Sequence, residues 1–196
     1  MSTISAGNTT TTAFKVTADT TGNLVFATGG ANTTALTIDN TQTATFKSQG
    51  ISRSSLPAGC ILQVVQATTT TSVNATSSTY SDTTLTATIT PISATSKILV
   101  MVNQAIGTSG SGNVGNIKLV RNSTDVQTWG FGIFYTGASD LYGYFANTYL
   151  DSPANTSAVT YKTQFNRTGG TGSTRVQYSD ANGNQLSTIT LMEVAA

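Results

Sequence analysis

Apolar and polar residues alternate along much of the chain from about residue 60 onward. Leu85, Ala87 and Ile89 fall on one side of segment 83–92, with threonines between them, and segment 159–165 repeats the pattern. A period of two is typical of a strand with one buried face, and no helical period is sustained. The pattern predicts an all-β protein whose second half is an antiparallel β-sandwich.

Two segments depart from simple alternation because apolar residues occupy both faces of the predicted strand, completely in the first segment and nearly so in the second. They are 98–102, which reads Ile-Leu-Val-Met-Val, and 189–194 near the end of the sequence. A strand in an antiparallel sandwich needs only one apolar face. The second apolar face predicts burial between two layers or at an interface between copies of the chain. The interface candidates are Ile98, Val100, Val102, Leu191, Met192 and Val194.

Turn signals separate the strands and predict how they pair. Asn182-Gly183 lies between Val176–Tyr178 and Leu186–Val194, and this dipeptide predicts a hairpin of the two segments. The segment Arg121–Asp125 predicts a second hairpin. Strands recur roughly every ten residues, which indicates about eight strands in the second half, the number found in a jelly roll.

The first 48 residues differ from the rest because their strand-like pieces are short and contain only about eight large apolar residues. A monomer of this size buries too little apolar surface to offset its chain entropy. Several copies wound together could share one core, so this segment is predicted to be oligomeric. We expect an anchor or shaft at 1–48, a linker at 49–59 and a sandwich head at 60–196.

Composition narrows the possible functions. Only 9% of the residues are charged, the net charge is +1 and histidine is absent. The lack of histidine excludes Ser-His-Asp and Cys-His catalysis and histidine-ligated metals. The basic residues are scattered and no apolar run could cross a bilayer, so we expect neither nucleic-acid binding nor membrane insertion. Cys60 is alone, and we expect no cofactor and no metal.

Aromatic residues are concentrated between positions 129 and 149. Exposed aromatic rings can stack on sugar rings, and the neighbouring loop offers polar contacts. The alternative is that some of these rings line the core while others fill a subunit interface, where a tyrosine keeps its hydroxyl solvated. The candidates for glycan or interface contact are Trp129, Tyr135, Asp140, Tyr142, Tyr144 and Tyr149.

Carboxylates offer a remaining route to catalysis, because a pair of them can hydrolyse glycans without histidine. Asp140 and Asp151 flank the aromatic cluster, but we expect both to be solvated turn residues and the protein not to be an enzyme. Glu193 lies in the apolar last strand, where an unpaired carboxylate is costly. We expect it to reach the solvated end of the strand or to pair with Lys97 or Arg53.

The two halves of the sequence share a resemblance with viral proteins. The stretch 20–30, Thr-Thr-Gly-Asn-Leu-Val-Phe-Ala-Thr-Gly-Gly, followed by Thr-Ala-Leu-Thr-Ile-Asp at 34–39, resembles the anchor or shaft segments of bacteriophage tail-fibre and virion structural proteins. The second half looks like their head modules, which are similar in architecture to trimeric jelly rolls of the tumour-necrosis-factor and C1q type. The segments that carry this second likeness are 59–66, 96–102, 151–153 and 187–194.

This resemblance implies a homotrimeric virion appendage that is assembled in the host cytoplasm. Its N-terminal segment would attach to other virion proteins of the tail or capsid, and its head would recognise a host-surface glycan as a short fibre or spike. A capsid decoration protein that stabilises the shell is the second interpretation. A spike that degrades polysaccharide is the third.

Overall fold

The computed structural model describes residues 23–28, 33–46, 56–129, 134–135, 140–180 and 183–196. All regular secondary structure in these ranges is β-strand, which confirms the predicted all-β class. No helix there is long and apolar enough to span a membrane. The chain divides into two compact units between Ser55 and Leu56, inside the segment predicted as a linker.

The first unit contains a three-stranded antiparallel sheet. Its strands are β1 (Leu24–Thr28), β2 (Thr33–Ile38) and β3 (Ala44–Phe46), in that spatial order. The turn between β2 and β3 is organised by Asp39, whose carboxylate accepts the Thr41 hydroxyl at 2.7 Å and the backbone N–H of Thr43 at 2.9 Å. These hydrogen bonds hold the pKa of Asp39 below its usual value.

Apolar side chains stand exposed on both faces of this small sheet. Val25 is 46% exposed and Phe26 is 47% exposed. Because they are neighbours on β1, their side chains point to opposite faces. Neither face of the sheet is therefore fully covered by the residues that the structure describes.

The second unit is an antiparallel sandwich, as the alternation predicts. Its strands are β4 (Ile61–Thr69), β5 (Val73–Ala75), β6 (Ser81–Ile89), β7 (Lys97–Ser109), β8 (Val114–Arg121), β9 (Thr124–Thr128), β10 (Phe134–Tyr135), β11 (Leu141–Asp151), β12 (Val159–Thr168), β13 (Ser173–Val176), β14 (Ser179–Asp180), β15 (Gly183–Asn184) and β16 (Ser187–Val194). The larger sheet has the order β4-β16-β7-β13-β5, with β11 also paired to β7. The smaller sheet has the order β10-β8-β12-β6, with β9 beside β8.

The inward residues of the two sheets form one apolar core. Leu85, Ala87 and Ile89 of β6 are buried, as predicted, and so are the alternating residues of β12, which include Tyr161 and Phe165. They pack against Ile98, Val100, Val102, Ile189 and Leu191 of the larger sheet. The period of two therefore identifies the inward face of these strands correctly.

One part of the sandwich interior is polar. Gln104, Gln177 and Ser187 are all fully buried there. In the amide orientation that satisfies its neighbours, Gln177 donates to the backbone oxygens of Thr71 and Thr83 at 3.0 Å and accepts from the Ser187 hydroxyl at 2.8 Å. These hydrogen bonds offset the desolvation energy that an unpaired buried amide would cost.

One predicted hairpin is confirmed, and the other is confirmed only in part. Residues 121–125 do join β8 to β9, with Arg121 opposite Thr124. The second turn closes only the two-residue pair of β14 and β15. Its longer flanking strands, β13 and β16, instead pair with successive parts of β7, since β16 pairs with 97–103 and β13 with 106–109. The 13-residue length of β7 makes room for both.

Candidate functional site

The outer face of the larger sheet, which we define as the side turned away from the smaller sheet, is built from alternate residues of β4, β16, β7 and β11. The strand registers align these residues in rows across the sheet. Successive rows are two residues apart along each strand, or about 7 Å. One row is Val64, Met192, Leu99 and Leu150, the next is Gln66, Thr190, Met101 and Thr148, and the third is Thr68, Thr188, Asn103 and Ala146.

The first of these rows and the neighbouring cross-strand pair, Val194 and Ile61, form an exposed apolar patch. The patch consists of Ile61, Val64, Leu99, Leu150, Met192 and Val194. Ile61, Val64 and Leu150 are 48%, 55% and 50% exposed, and the other three are half-buried. Lys97 carries a charge at its margin, opposite Val194. A contiguous apolar surface of this kind is typical of an interaction site.

This patch changes the set of interface candidates taken from the sequence. Ile98, Val100, Val102 and Leu191 lie in the sandwich core and are at most 3% exposed, so they cannot contact another subunit. Met192 and Val194 do point outward. The correction follows from alternation within each strand: in segment 98–102 the outward residues are the intervening Leu99 and Met101.

A groove of about 470 Å³ follows the patch along the same face. It is lined by Met101, Asn103, Ala146, Thr148, Thr188 and Thr190, together with parts of Val102 and Asn147. The small side chain of Ala146, between larger neighbours in the rows, leaves the space open. No charged residue lines it. The sequence gives no signal for this groove, because its walls come from three strands that are far apart along the chain.

Beyond the groove, two tyrosines of β11 continue the outer face. Tyr144 is 50% exposed and donates its hydroxyl to Oε1 of Gln185 at 3.0 Å. Tyr142 donates its hydroxyl to Asp140 at 2.9 Å, and its ring lies 4.6 Å from that of Tyr178. Partial burial and the Asp140 carboxylate raise the pKa of Tyr142 above its usual value.

The structure separates the predicted aromatic candidates into two groups. Asp140, Tyr142 and Tyr144 lie together on the outer face. Trp129 is buried against Phe145, with 5.4 Å between ring centroids, and Tyr149 packs partly buried against the same core. The prediction of a surface role is therefore wrong for Trp129, which is buried, whereas Tyr149 is only partly buried and its surface role stays a prediction. Tyr135 belongs to β10, and its side chain lies outside the described residues.

Gly107 provides the space in which the Tyr142 ring packs. The two residues are opposite each other on β7 and β11. A Cβ at position 107 would overlap Cδ1 of Tyr142 and would lie 2.8 Å from the backbone oxygen of Leu141. Glycine is therefore needed for close packing at this point.

Replacing Gly107 with alanine should displace the Tyr142 ring and lower the free energy of unfolding by about 1–2 kcal/mol, the usual cost of overpacking. Urea denaturation measures the change. In a Tyr142→Ala background the same substitution should cost less, because the displaced ring is gone and only the contact with the Leu141 backbone oxygen remains. An equal cost in both backgrounds would show that the ring is not the constraint.

The two candidate catalytic carboxylates lie on opposite sides of the larger sheet. Asp151 is buried and forms a two-oxygen ion pair with Arg121, at 2.7 and 2.9 Å, and it accepts the Tyr161 hydroxyl at 2.6 Å. Burial and this hydrogen bond raise the pKa of Tyr161 well above its usual value. The expectation that Asp151 is solvated is wrong. Asp140, by contrast, is exposed and bonded to Tyr142 on the outer face.

Glu193 is also buried, and it pairs with neutral donors. Its carboxylate accepts from the side-chain amide of Gln63 and from the backbone N–H groups of Ile92, at 2.7 Å, and Ser93, at 3.3 Å. Burial alone would raise the pKa of Glu193, but these hydrogen bonds outweigh it and leave the pKa below its usual value. Neither a solvated Glu193 nor an ion pair with Lys97 is observed, and Arg53 lies outside the described residues.

In the described part of the chain, no group of three or more histidine, cysteine, aspartate or glutamate residues could hold a metal ion. The polar groups of the outer face are hydroxyls and amides, with charge only at its margins. Such a surface can form hydrogen bonds and apolar contacts with a neutral partner.

The chain matches no described protein family and no curated protein sequence. It is similar to a solved structure of infectious bursal disease virus, Gx strain, with 14% identity and a TM-score of 0.37 over 68% of this chain and 37% of that chain. A structure of the Gt strain gives 15% identity and a TM-score of 0.35 over 68% and 38% of the two chains. The alignments thus span less than two fifths of the viral chains. Likeness at this level establishes neither a family nor a function.

Proposed function

We propose that this chain is a structural protein of a bacteriophage virion and that it assembles as a homotrimer through the apolar patch. The patch is the observation that carries the proposal: three of its residues are about half exposed and none of its six is charged. Burying this surface against a second copy would stabilise the assembly by about 25 cal/mol for each Å² of apolar area removed from water. The number of copies and the virion come from the resemblance to trimeric phage heads.

A second copy is the occupant that the patch fits best. A foreign partner usually adds charge complementarity to an interface, and this patch has none apart from Lys97 at its margin. Apolar interfaces with few charges are typical of obligate homo-oligomers. The exposed Val25 and Phe26 of the first unit support the same interpretation, because copies of β1 could cover one another.

Within this proposal the N-terminal unit attaches to other virion proteins and the head faces the host surface. A role as a capsid decoration protein uses the same trimer and differs in its position on the particle. Antibody labelling of virions distinguishes the two positions. We propose no catalytic role, since Asp140 and Asp151 are held on opposite sides of a sheet.

A charge in the patch should dissociate the trimer. Leu150→Asp would place a carboxylate where each copy meets its neighbour, and an unpaired buried charge costs several kcal/mol. The matched control is Leu186→Asp, because Leu186 is 51% exposed, against 50% for Leu150, and lies outside the patch. Sedimentation equilibrium should give a reduced mass for the first variant and an unchanged mass for the second. Equal behaviour of the two variants would exclude the patch as the interface.

A further inference from the structure

The groove beside the apolar patch differs from the patch in chemistry. Its lining combines the carbon surfaces of Met101 and Ala146 with the side chains of Asn103, Thr148 and Thr188. Within the described part of the chain, the Asn103 amide and the hydroxyls of Thr148 and Thr188 form no hydrogen bond with protein. These polar groups are therefore free to bind a ligand. The patch offers no comparable groups.

The lining also defines the charge of the ligand. Asn103 can both donate and accept, and so can each threonine hydroxyl. The absence of a cation from the lining leaves nothing to pair with a carboxylate or sulfate. A neutral ligand that is rich in hydroxyls can form hydrogen bonds with these groups. Because it carries no charge, it does not incur the cost of removing a charge from water.

The tyrosine row adds an aromatic surface at one end of the groove. Tyr144 lies on the same face as Ala146, one row further from the apolar patch, and the two rows are about 7 Å apart. Half of the Tyr144 surface is exposed. Its hydroxyl is held by Gln185, which orients the ring. An aromatic face beside hydroxyl and amide groups matches a sugar, which has one apolar C–H face and a rim of hydroxyls.

We propose that the groove binds a neutral oligosaccharide, with its sugar rings between Met101 and Tyr144 and its hydroxyls on Asn103 and Thr148. The volume of about 470 Å³ is within the range of small-ligand sites. This inference rests on the proposed contact with a host surface for its biological role. Three equivalent grooves in a trimer would multiply weak binding through avidity.

Saturation-transfer NMR on the full chain tests the site, with maltotriose, cellotriose and chitotriose as neutral probes and trigalacturonic acid as the charged comparison. We expect transfer to at least one neutral probe and less to the acid. Ala146→Leu should fill the groove and weaken that binding at least tenfold, and Thr148→Val should weaken it several-fold by removing one hydroxyl. Thr68→Val is the control for the loss of a hydroxyl. Thr68 is exposed and lies in the row of Ala146, but it does not line the groove.

Three results would overturn the proposal: no transfer to any neutral probe, stronger binding of the acid, or equal binding by the wild type and Ala146→Leu. The native mass of each NMR sample separates this site from the proposed assembly. A monomer that binds the saccharide would contradict the trimer alone. A trimer that binds none of the probes would contradict the saccharide site alone.

Discussion

Replacing Asp151 with asparagine should lower the free energy of unfolding by about 3 kcal/mol, the largest effect that we expect from a single substitution. The change leaves Arg121 without its carboxylate partner and removes the charged acceptor of the Tyr161 hydroxyl. The expected cost is at the low end of the range for buried ion pairs because the Arg121 side chain remains 25% exposed. Urea unfolding at one fixed protein concentration measures it, since assembly also contributes to stability.

The chain contains a matched control for this substitution. Lys118 and Asp125 form an ion pair of similar length, 2.8 Å, but the Asp125 side chain is 57% exposed. Surface pairs contribute about 0–1 kcal/mol, so Asp125→Asn should change stability by less than 1 kcal/mol. Similar losses in the two variants would show that burial is not what makes the Asp151 pair important.

Replacing Glu193 with glutamine should cost about 2 kcal/mol, through the loss of charged hydrogen bonds in a buried site. The new amide group would direct N–H donors toward the donors of Gln63, Ile92 and Ser93, and only its oxygen could still accept. The shape of the side chain is preserved, so packing is nearly unchanged. Thermal unfolding at neutral pH compares the two proteins.

The pH dependence provides a second test of Glu193. Its pKa in the folded protein is lowered from 4.5, so the unfolded chain takes up a proton at higher pH than the folded one. The stabilisation from the charged form is therefore complete above pH 4.5 and is lost as the pH falls through the lower folded-state pKa. The stability gap between wild type and Glu193→Gln should narrow in acid. A gap that is constant down to pH 3 would contradict the bonded carboxylate.

Local alternation was sufficient to predict the strands but not their environment. The buried faces of β6 and β12 follow directly from the sequence, because each strand repeats apolar residues at every second position. The same rule could not say which face of β7 meets the second sheet. That choice depends on register with β11 and β16, which are remote in sequence. The pattern alone therefore predicts Ile98 rather than Leu99 at an interface.

The polar sites were harder to predict for a related reason. The sequence predicts Asp151 to be a solvated turn residue, because its partner Arg121 is thirty residues away and the pairing is not visible in the sequence. The donors to Glu193 are about one hundred residues away or more. Whether a carboxylate is buried and paired depends on tertiary contacts of this kind, which single-sequence patterns do not contain. The burial of Trp129 is hidden from the sequence for the same reason, since its core partner Phe145 is on another strand.

The arrangement of the outer face connects the fold with the proposed role. The apolar patch, the neutral groove and the tyrosine row follow one another along the same strands, so a single rigid sheet supports all three. In the proposed trimer, assembly through the apolar patch would leave the adjacent groove and the tyrosines beyond it available to a ligand. Sites built on strands of one sheet keep their geometry better than sites on separate loops.

The native mass of the full chain tests the central claim most directly. Light scattering on the purified protein, over a range of concentrations, should give a mass about three times the 20.2 kDa of one chain. That mass should fall toward one chain in Leu150→Asp and not in Leu186→Asp. A wild-type protein that remains a 20.2 kDa monomer at every concentration would contradict the proposal that the apolar patch joins three copies.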